Sequence, residues 1–327
     1  MKAATPDSHV GGPGPRREGQ TFAGTSRITR YVNFVKLPHT VFAMPFALVG
    51  VVLASYSAPV RWRTVAWVVV AFTCARFAAM GFNRIVDRDI DAKNPRTERR
   101  ELPQGTLGLT EAWVSVVVAS LVFLWAAWRL NPLCGALAPV ALAWVLCYSF
   151  TKRFTSWSHL VLGVGLSIAP VGGYLAVRGA WSHPWWMLIA LACAVATWSG
   201  GFDVLYALQD LEFDRREGLF SIPVALGEHG AFVVARLLHA ASVCCLAAVG
   251  AALYGGSGAG SFYALGVVVA AGLLIYEHSL VRPGELTRLD AAFFMMNGIT
   301  SIAFFVCVLV ERLTTSAAML YAGHALL

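Results

Sequence analysis

Long apolar runs alternate with short polar connections along nearly the whole chain, and the runs have the length a bilayer requires. Windows of about 20 apolar residues predict helices over roughly 37–57, 64–86, 111–130, 132–150, 158–177, 184–210, 229–253, 259–280 and 290–312. That makes about nine spans, with ends good to a few residues. The breaks at 177–184 and 253–259 are weakly marked, so eight or ten spans is the alternative count. The expected fold class is an all-α membrane protein. Residues 31–315 form its transmembrane domain.

Composition agrees: of 327 residues 57% are hydrophobic and only 13% charged, where soluble domains carry about a quarter. Residues 1–30 are polar and rich in Gly, Pro and Arg. They are expected to be a disordered cytoplasmic tail without a cleavable signal peptide, and residues 316–327 a short C-terminal tail. The seven cysteines lie in apolar runs without metal-ligand spacing, so free thiols are expected.

The formal net charge of +7 is distributed by side. With nine spans, the amino terminus and the connections after the second, fourth, sixth and eighth share one face. That face holds Arg27, Arg30, Lys36, Arg84, Arg88, Lys93, Arg96, Arg99, Arg100, Lys152, Arg153, Arg215, Arg216, Arg282 and Arg288. The other face has Arg61, Arg63, Arg129, Arg178 and Arg312. The basic side is therefore cytoplasmic. The excess needs no nucleic-acid partner, because contact with anionic lipid or phosphate suffices.

Two acidic ladders begin where apolar runs end on this cytoplasmic side. One is Asn83-Arg-Ile-Val-Asp87-Arg-Asp89-Ile-Asp91, after the second span. The other, after the sixth, is Asp203-Val-Leu-Tyr206-Ala-Leu-Gln-Asp210-Leu-Glu-Phe-Asp214. Steps of four advance slowly around a helix, so Asn83, Asp87 and Asp91 form one tilted ribbon, and Asp203, Asp210 and Asp214 another, with Tyr206 on its inner face. Carboxylates at a bilayer edge need a counter-charge. Mg²⁺ carrying phosphate supplies it, because this ion completes its oxygen shell with water and substrate phosphates. The alternative is solvated helix ends whose acids pair with Arg84, Arg88, Arg215 and Arg216. The connections after the ladders, about 92–110 and 215–228, have room for a short helix or lid each.

Asn-xxx-Asp-xxx-Asp followed by Asp-xx-Tyr-xxx-Asp-xxx-Asp resembles the UbiA-type intramembrane prenyltransferase superfamily, over about residues 31–312. Lys36-Leu-Pro-His39, Arg96-Thr97, Leu102-Pro103 with Gly105, and Tyr148-Ser-Phe-Thr-Lys152-Arg153 add to the match. The resemblance implies helices around a central cavity, Asp-rich cytoplasmic loops forming a cap, Mg²⁺ at the rim and a lateral opening to lipid. It implies transfer of a polyprenyl group from its diphosphate to an aromatic acceptor, with polyprenyl diphosphate, an aromatic acid and membrane lipid as partners. A multi-pass protein of a bacterial cell membrane is expected. Lys152, Arg153 and Arg96 are then candidates for the diphosphate, with solvated cytoplasmic charge as the plainer reading. Asn33, Lys36 and His39 are candidates for acceptor or phosphate. Tyr148 and Tyr206 are candidates for facing an allylic cation, or for plain packing.

Arg76 lies inside the second span, about two and three turns before Asn83 and Asp87 and on their face. It either holds the acceptor carboxylate or pairs with Asp203 or Asp210. The two ladder segments resemble the 4-hydroxybenzoate polyprenyltransferase group. Trp157-Ser158-His159 stands where ubiquinone-pathway members carry a Pro-Gln pair, which is more like the branch using a dihydroxynaphthoate-type acceptor for menaquinone. The remaining histidines, His159 among them, show no ligand spacing and receive no role. Asn297 reads as an interhelical hydrogen bond. A cation or metabolite transporter is the rival class, but such proteins place intramembrane acids near the midplane, and both ladders here sit at one rim.

Overall fold

In a computed structural model of the chain, the structure describes residues 26–255, 260–281 and 289–324, with 37–39, 41–42, 289–295 and 316–324 described by backbone alone. The expected tail of residues 1–25 and the His39 side chain lie outside the described residues. The helices are α1 (Arg27–Phe34), α2 (Leu37–Ala54), α3 (Trp62–Val86), α4 (Arg88–Asp91), α5 (Leu109–Leu130) and α6 (Pro132–Cys147). They continue with α7 (Ser158–Arg178), α8 (Trp186–Ala207), α9 (Leu211–Glu217), α10 (Ile222–Tyr254), α11 (Ser261–Leu280) and α12 (Leu289–His324). Among the described residues, eight helical stretches are long and apolar enough to cross a membrane, and Ala43–Ala54 within α2 is a shorter apolar one. The protein is an integral membrane protein.

Local chemistry sets several boundaries. Asn131 caps α6 by accepting from the Cys134 amide, with Pro132 at the first position, and Ser221 caps α10 through the Val224 amide. Gly179, at φ +64, ends α7 in the left-handed region that glycine adopts without cost. Large apolar side chains point outward: Val114, Val117, Val118, Leu121, Trp125 and Trp128 of α5 are all at least half exposed to the surrounding lipid or water. That is the expected inversion for a helix facing hydrocarbon.

The core is held by α8, which packs on α7 and α10, while α7 also packs on α2, and α12 on α11 and α2. Leu188, Leu191, Val195 and Trp198 of α8 meet Phe46 and Val49 of α2 and Phe304 of α12 in one buried cluster. The α7 contacts are backbone-close. A Cβ at Gly163 would strike the Ala196 carbonyl of α8, and one at Gly173 the Ala47 carbonyl of α2. Small residues permit this approach, and close packing is what associates helices in lipid. Gly163→Val is therefore expected to destabilise the fold by about 1–3 kcal/mol, since a carbonyl cannot step aside as a side chain can. Thermal unfolding in detergent, followed by tryptophan fluorescence, checks this.

Four expected boundaries move. Arg27–Phe34 is helical, although residues up to 30 read as tail; Ser26 caps it and Tyr31 Oη donates to Glu111 Oε1 at 2.8 Å. Helix α10 begins at Ile222 rather than 229 and breaks its helical angles at Gly227. Helix α12 continues to His324, through the segment expected as a C-terminal tail. The sixth span ends its regular helix at Ala207 and turns through a 3₁₀ segment, Leu208–Asp210, into α9. At the end away from the ladders, Arg178 donates to the Ser57 carbonyl and Arg312 to Ser55, which gathers two arginines assigned to one face.

Candidate active site at the acidic end of the bundle

The ladders are not continuous helical ribbons. Asp87 joins α3 to α4 at φ −93, ψ 7, and Asp210 joins the 3₁₀ turn to α9 at φ −102, ψ 3. Both middle acids thus sit in the same sparsely populated bridge conformation, one at each kink. Each kink is followed by a buried acid: Asp91 is 6% exposed and Asp214 2%.

A cavity of about 300 Å³ lies between the kinks. Its lining includes Arg76, Asn83, Asp87, Asp91, Asp203, Asp210 and Asp214, together with Lys36, Arg96, Tyr148, Lys152, Arg153 and Tyr206. Of the residues singled out from sequence as site candidates and described with side chains, Asn33 is the exception. It is buried in α1, and its carbonyl accepts from the Lys36 amide. Asn297 lines the cavity, whereas its spacing read as a plain interhelical amide. Deeper in, the walls are Phe46, Phe72, Leu162, Leu166, Trp198 and Phe202.

Asp87, Asp91 and Asp210 are paired, but not with the arginines beside them in sequence. Arg84 pairs with Glu101 at 3.4 Å, Arg88 with Asp89 at 3.0 Å and Arg215 with Glu212 at 3.2 Å. The partners of the ladder come from elsewhere. Arg96 Nε donates to Asp210 Oδ1 at 2.8 Å and its Nη2 to Oδ2 at 2.6 Å, a two-pronged grip that Asn94 Nδ2 completes at 2.9 Å. Arg100 Nη1 donates to both Asp91 oxygens at 2.8 Å. Arg153 Nη2 reaches the Val86 carbonyl at 2.9 Å and Asp87 Oδ1 at 3.4 Å, and Asn83 Nδ2 donates to Asp87 Oδ2 at 2.8 Å. The connection between α4 and α5 therefore spans the cavity mouth from the first ladder to the second.

Charge balance follows. Burial and the neighbouring Asp91 charge push the Asp87 carboxyl above the usual range, against the pull of Lys152 and Arg153. Burial works to lower the Arg96 guanidinium, but Asp210 outweighs it and holds it above its ordinary value. Tyr206 is enlisted by the same arginine: its hydroxyl accepts from Arg96 Nη1 at 3.1 Å and its ring centroid lies 5.2 Å from the guanidinium carbon. Arg76 is different. It forms no ion pair among the described residues, and its Nε is buried without a hydrogen-bond partner, so the pairing with Asp203 or Asp210 weighed above does not occur.

His159 entered the sequence reading without a role, and the structure assigns it one. It is fully buried and its Nδ1 lies 2.7 Å from Asp203 Oδ2. No spacing rule links positions so far apart; only the packing of α7 on α8 does.

Among the described residues, no three His, Cys, Asp or Glu side chains are close enough to hold a metal ion by themselves. An all-protein cage is thus not what this site offers. Mg²⁺ bound through one or two carboxylates plus phosphate oxygens and water needs no such cage. The donor set fits that mode: Asp87, Asp203 and Asp214 line one cavity, and Asp214 Oδ2 is buried with no partner.

Comparison with known proteins gives a consistent picture. The UbiA prenyltransferase family profile matches residues 43–299. The 4-hydroxybenzoate octaprenyltransferase of Shewanella woodyi is 29% identical over 275 residues, spanning 84% of this chain and 92% of that protein. That of Shewanella sediminis is 30% identical over 232 residues, 71% of this chain and 78% of its own length. Among solved structures, the apo structure of a UbiA homolog from Aeropyrum pernix K1 superposes with TM-score 0.75 at 32% identity, covering 84% of this chain and 98% of that one. A UbiA homolog from Archaeoglobus fulgidus bound to DMAPP and Mg²⁺ shares the fold at TM-score 0.66 and 18% identity, covering 86% of this chain and 99% of that one.

Proposed function

Because the chain belongs to the UbiA prenyltransferase family, we propose that it transfers a polyprenyl group from polyprenyl diphosphate to a hydroxylated aromatic acid of the 4-hydroxybenzoate type. The observation that carries this reading is one cavity with three chemistries: an acidic and basic rim, an apolar wall, and an arginine whose buried Nε has no hydrogen-bond partner among the described residues. The relatives named 4-hydroxybenzoate octaprenyltransferase support the acceptor class.

Asp87, Asp203 and Asp214 would hold Mg²⁺, which when bound supplies Lewis-acid neutralisation of the leaving diphosphate, while Asn83, Asp91 and Asp210, engaged with Asp87, Arg100 and Arg96, shape the rim around it. Lys152, Arg153 and Lys36 line the same cavity and would meet the phosphate oxygens there. Phe72, Leu162, Leu166 and Phe202 take the start of the prenyl chain and keep water from the allylic carbon, where hydrolysis would otherwise compete. Arg76 holds the acceptor carboxylate and so presents the ring. The ring carbon forms the new C–C bond as the C–O bond breaks, its electron pair leaves with the diphosphate, and the ring proton is lost afterwards. Tyr148 lines the same space and offers an aromatic face to developing positive charge. The basic residues around this mouth support a cytoplasmic orientation for it, in a bacterial cell membrane.

The test uses purified protein in lipid with Mg²⁺, a long-chain prenyl diphosphate, and 4-hydroxybenzoate competed against a 1,4-dihydroxynaphthoate-type acid, read by mass spectrometry. A prenylated ring that disappears with EDTA is the expected result, and the acid consumed identifies the ring. No product from either acid would overturn the proposal and return the transporter reading.

A further inference from the structure

The first residues of α7 and α10 and the last turns of α8 meet at a single imidazole. His159 is in the first turn of α7 and is 0% exposed. The amide of Ile222, the first residue of α10, lies 3.3 Å from His159 Nε2. An amide N–H can only donate, so Nε2 accepts, and the proton of the neutral ring is on Nδ1. Nδ1 in turn lies 2.7 Å from Asp203 Oδ2 on α8. The histidine thus donates to the acid, in an orientation the backbone of a third helix dictates.

We propose that His159 is a positioning residue for Asp203, setting which carboxylate oxygen the cavity receives. Asp203 Oδ2 is taken by His159; Oδ1 makes no hydrogen bond among the described residues, and Asp203 lines the cavity. A carboxylate with one oxygen held and one presented has lost the rotation that would make it an imprecise ligand, and such supporting hydrogen bonds are worth about 10–100-fold in metal affinity. The same ring fixes the end of the connection after the second ladder. Its preceding residues are tied by Leu219 N to the Asp214 carbonyl at 2.9 Å and Phe220 N to the Lys152 carbonyl at 2.8 Å. The inference rests on the proposed cation-binding role of Asp203. The competing explanation is that His159 only satisfies the Ile222 amide.

The experiment measures Mn²⁺ binding by electron paramagnetic resonance, on protein in nanodiscs with an unreactive prenyl thiolodiphosphate, and thermal unfolding beside it. His159→Gln can still donate to Asp203 and accept from Ile222, and is expected to bind Mn²⁺ within about threefold of the parent. His159→Leu is expected to lose about tenfold or more. Folded His159→Leu with unaltered Mn²⁺ affinity, while Asp203→Asn weakens it, would overturn the role of His159. Unaltered affinity in Asp203→Asn itself would instead overturn the reading of Asp203 as a cation ligand. Should His159→Leu fail to fold, nitrogen-15 spectra of histidine-labelled parent protein decide, with His159→Gln assigning the resonance: a proton on Nδ1 is expected, and one on Nε2 defeats the proposal.

Discussion

Asp214→Asn is expected to lower turnover about a thousandfold while leaving thermal unfolding unchanged. The substitution keeps the shape and removes the charge of a carboxyl that is 2% exposed and whose Oδ2 has no hydrogen-bond partner, so no hydrogen bond at that oxygen is lost. Loss of one preorganised charge-stabilising group commonly costs about a hundred- to a thousandfold in rate. Asp210→Asn gives the contrast. Asp210 is the two-pronged partner of Arg96, the pair being 8% and 11% exposed at the side chains, and breaking a buried pair by removing one charge costs about 3–5 kcal/mol. That variant should lose both turnover and stability. Measuring kcat and Tm for both separates an acid poised for ligand from one already committed to the fold. Full turnover in Asp214→Asn would remove it from the site.

Arg76→Met should fold at least as stably as the parent yet lose acceptor-dependent kcat/KM by at least about a hundredfold, with prenyl-diphosphate binding unchanged. A charged side chain inside a membrane span is costly unless paired, and Arg76 has no ion pair among the described residues and a buried Nε without a partner. Methionine fills similar length without that cost. Truncating one side of a hydrogen-bonded charge pair costs about 2–5 kcal/mol, which is the range expected for a lost carboxylate clamp. Isothermal titration with an unreactive prenyl diphosphate, beside steady-state kinetics in the aromatic acid, checks it. Collapse of diphosphate binding would move Arg76 to the phosphate subsite.

The spans and the two acidic motifs were legible because both depend on local pattern: apolar length for the first, spacing of four for the second. Thirteen of the fifteen site candidates line one cavity, and the side chain of one more, His39, lies outside the described residues. What the chain alone did not disclose was nonlocal. Arg96 and Arg100 grip Asp210 and Asp91, while sequence proximity favoured Arg84, Arg88, Arg215 and Arg216 as partners. The kinks at Asp87 and Asp210 carry no proline or glycine to announce them; side-chain hydrogen bonds from Arg153, Asn83, Arg96 and Asn94 hold both acids there. His159 was invisible because its two partners come from α8 and α10. Asn33 is buried near the end of α1 and is not among the residues that line the cavity.

The close contacts of Gly163 with Ala196 and of Gly173 with Ala47 have a bearing on how such a cavity diversifies. At these two points the approach of α7 to α8 and α2 is set by main chain against main chain, not by side chains. Wall residues outside the buried clusters, such as Leu162, can therefore be exchanged without disturbing those two contacts. Chemistry at the mouth and the shape of the chamber below it become separately adjustable, so a new ring or a longer chain asks for new wall residues and no new scaffold.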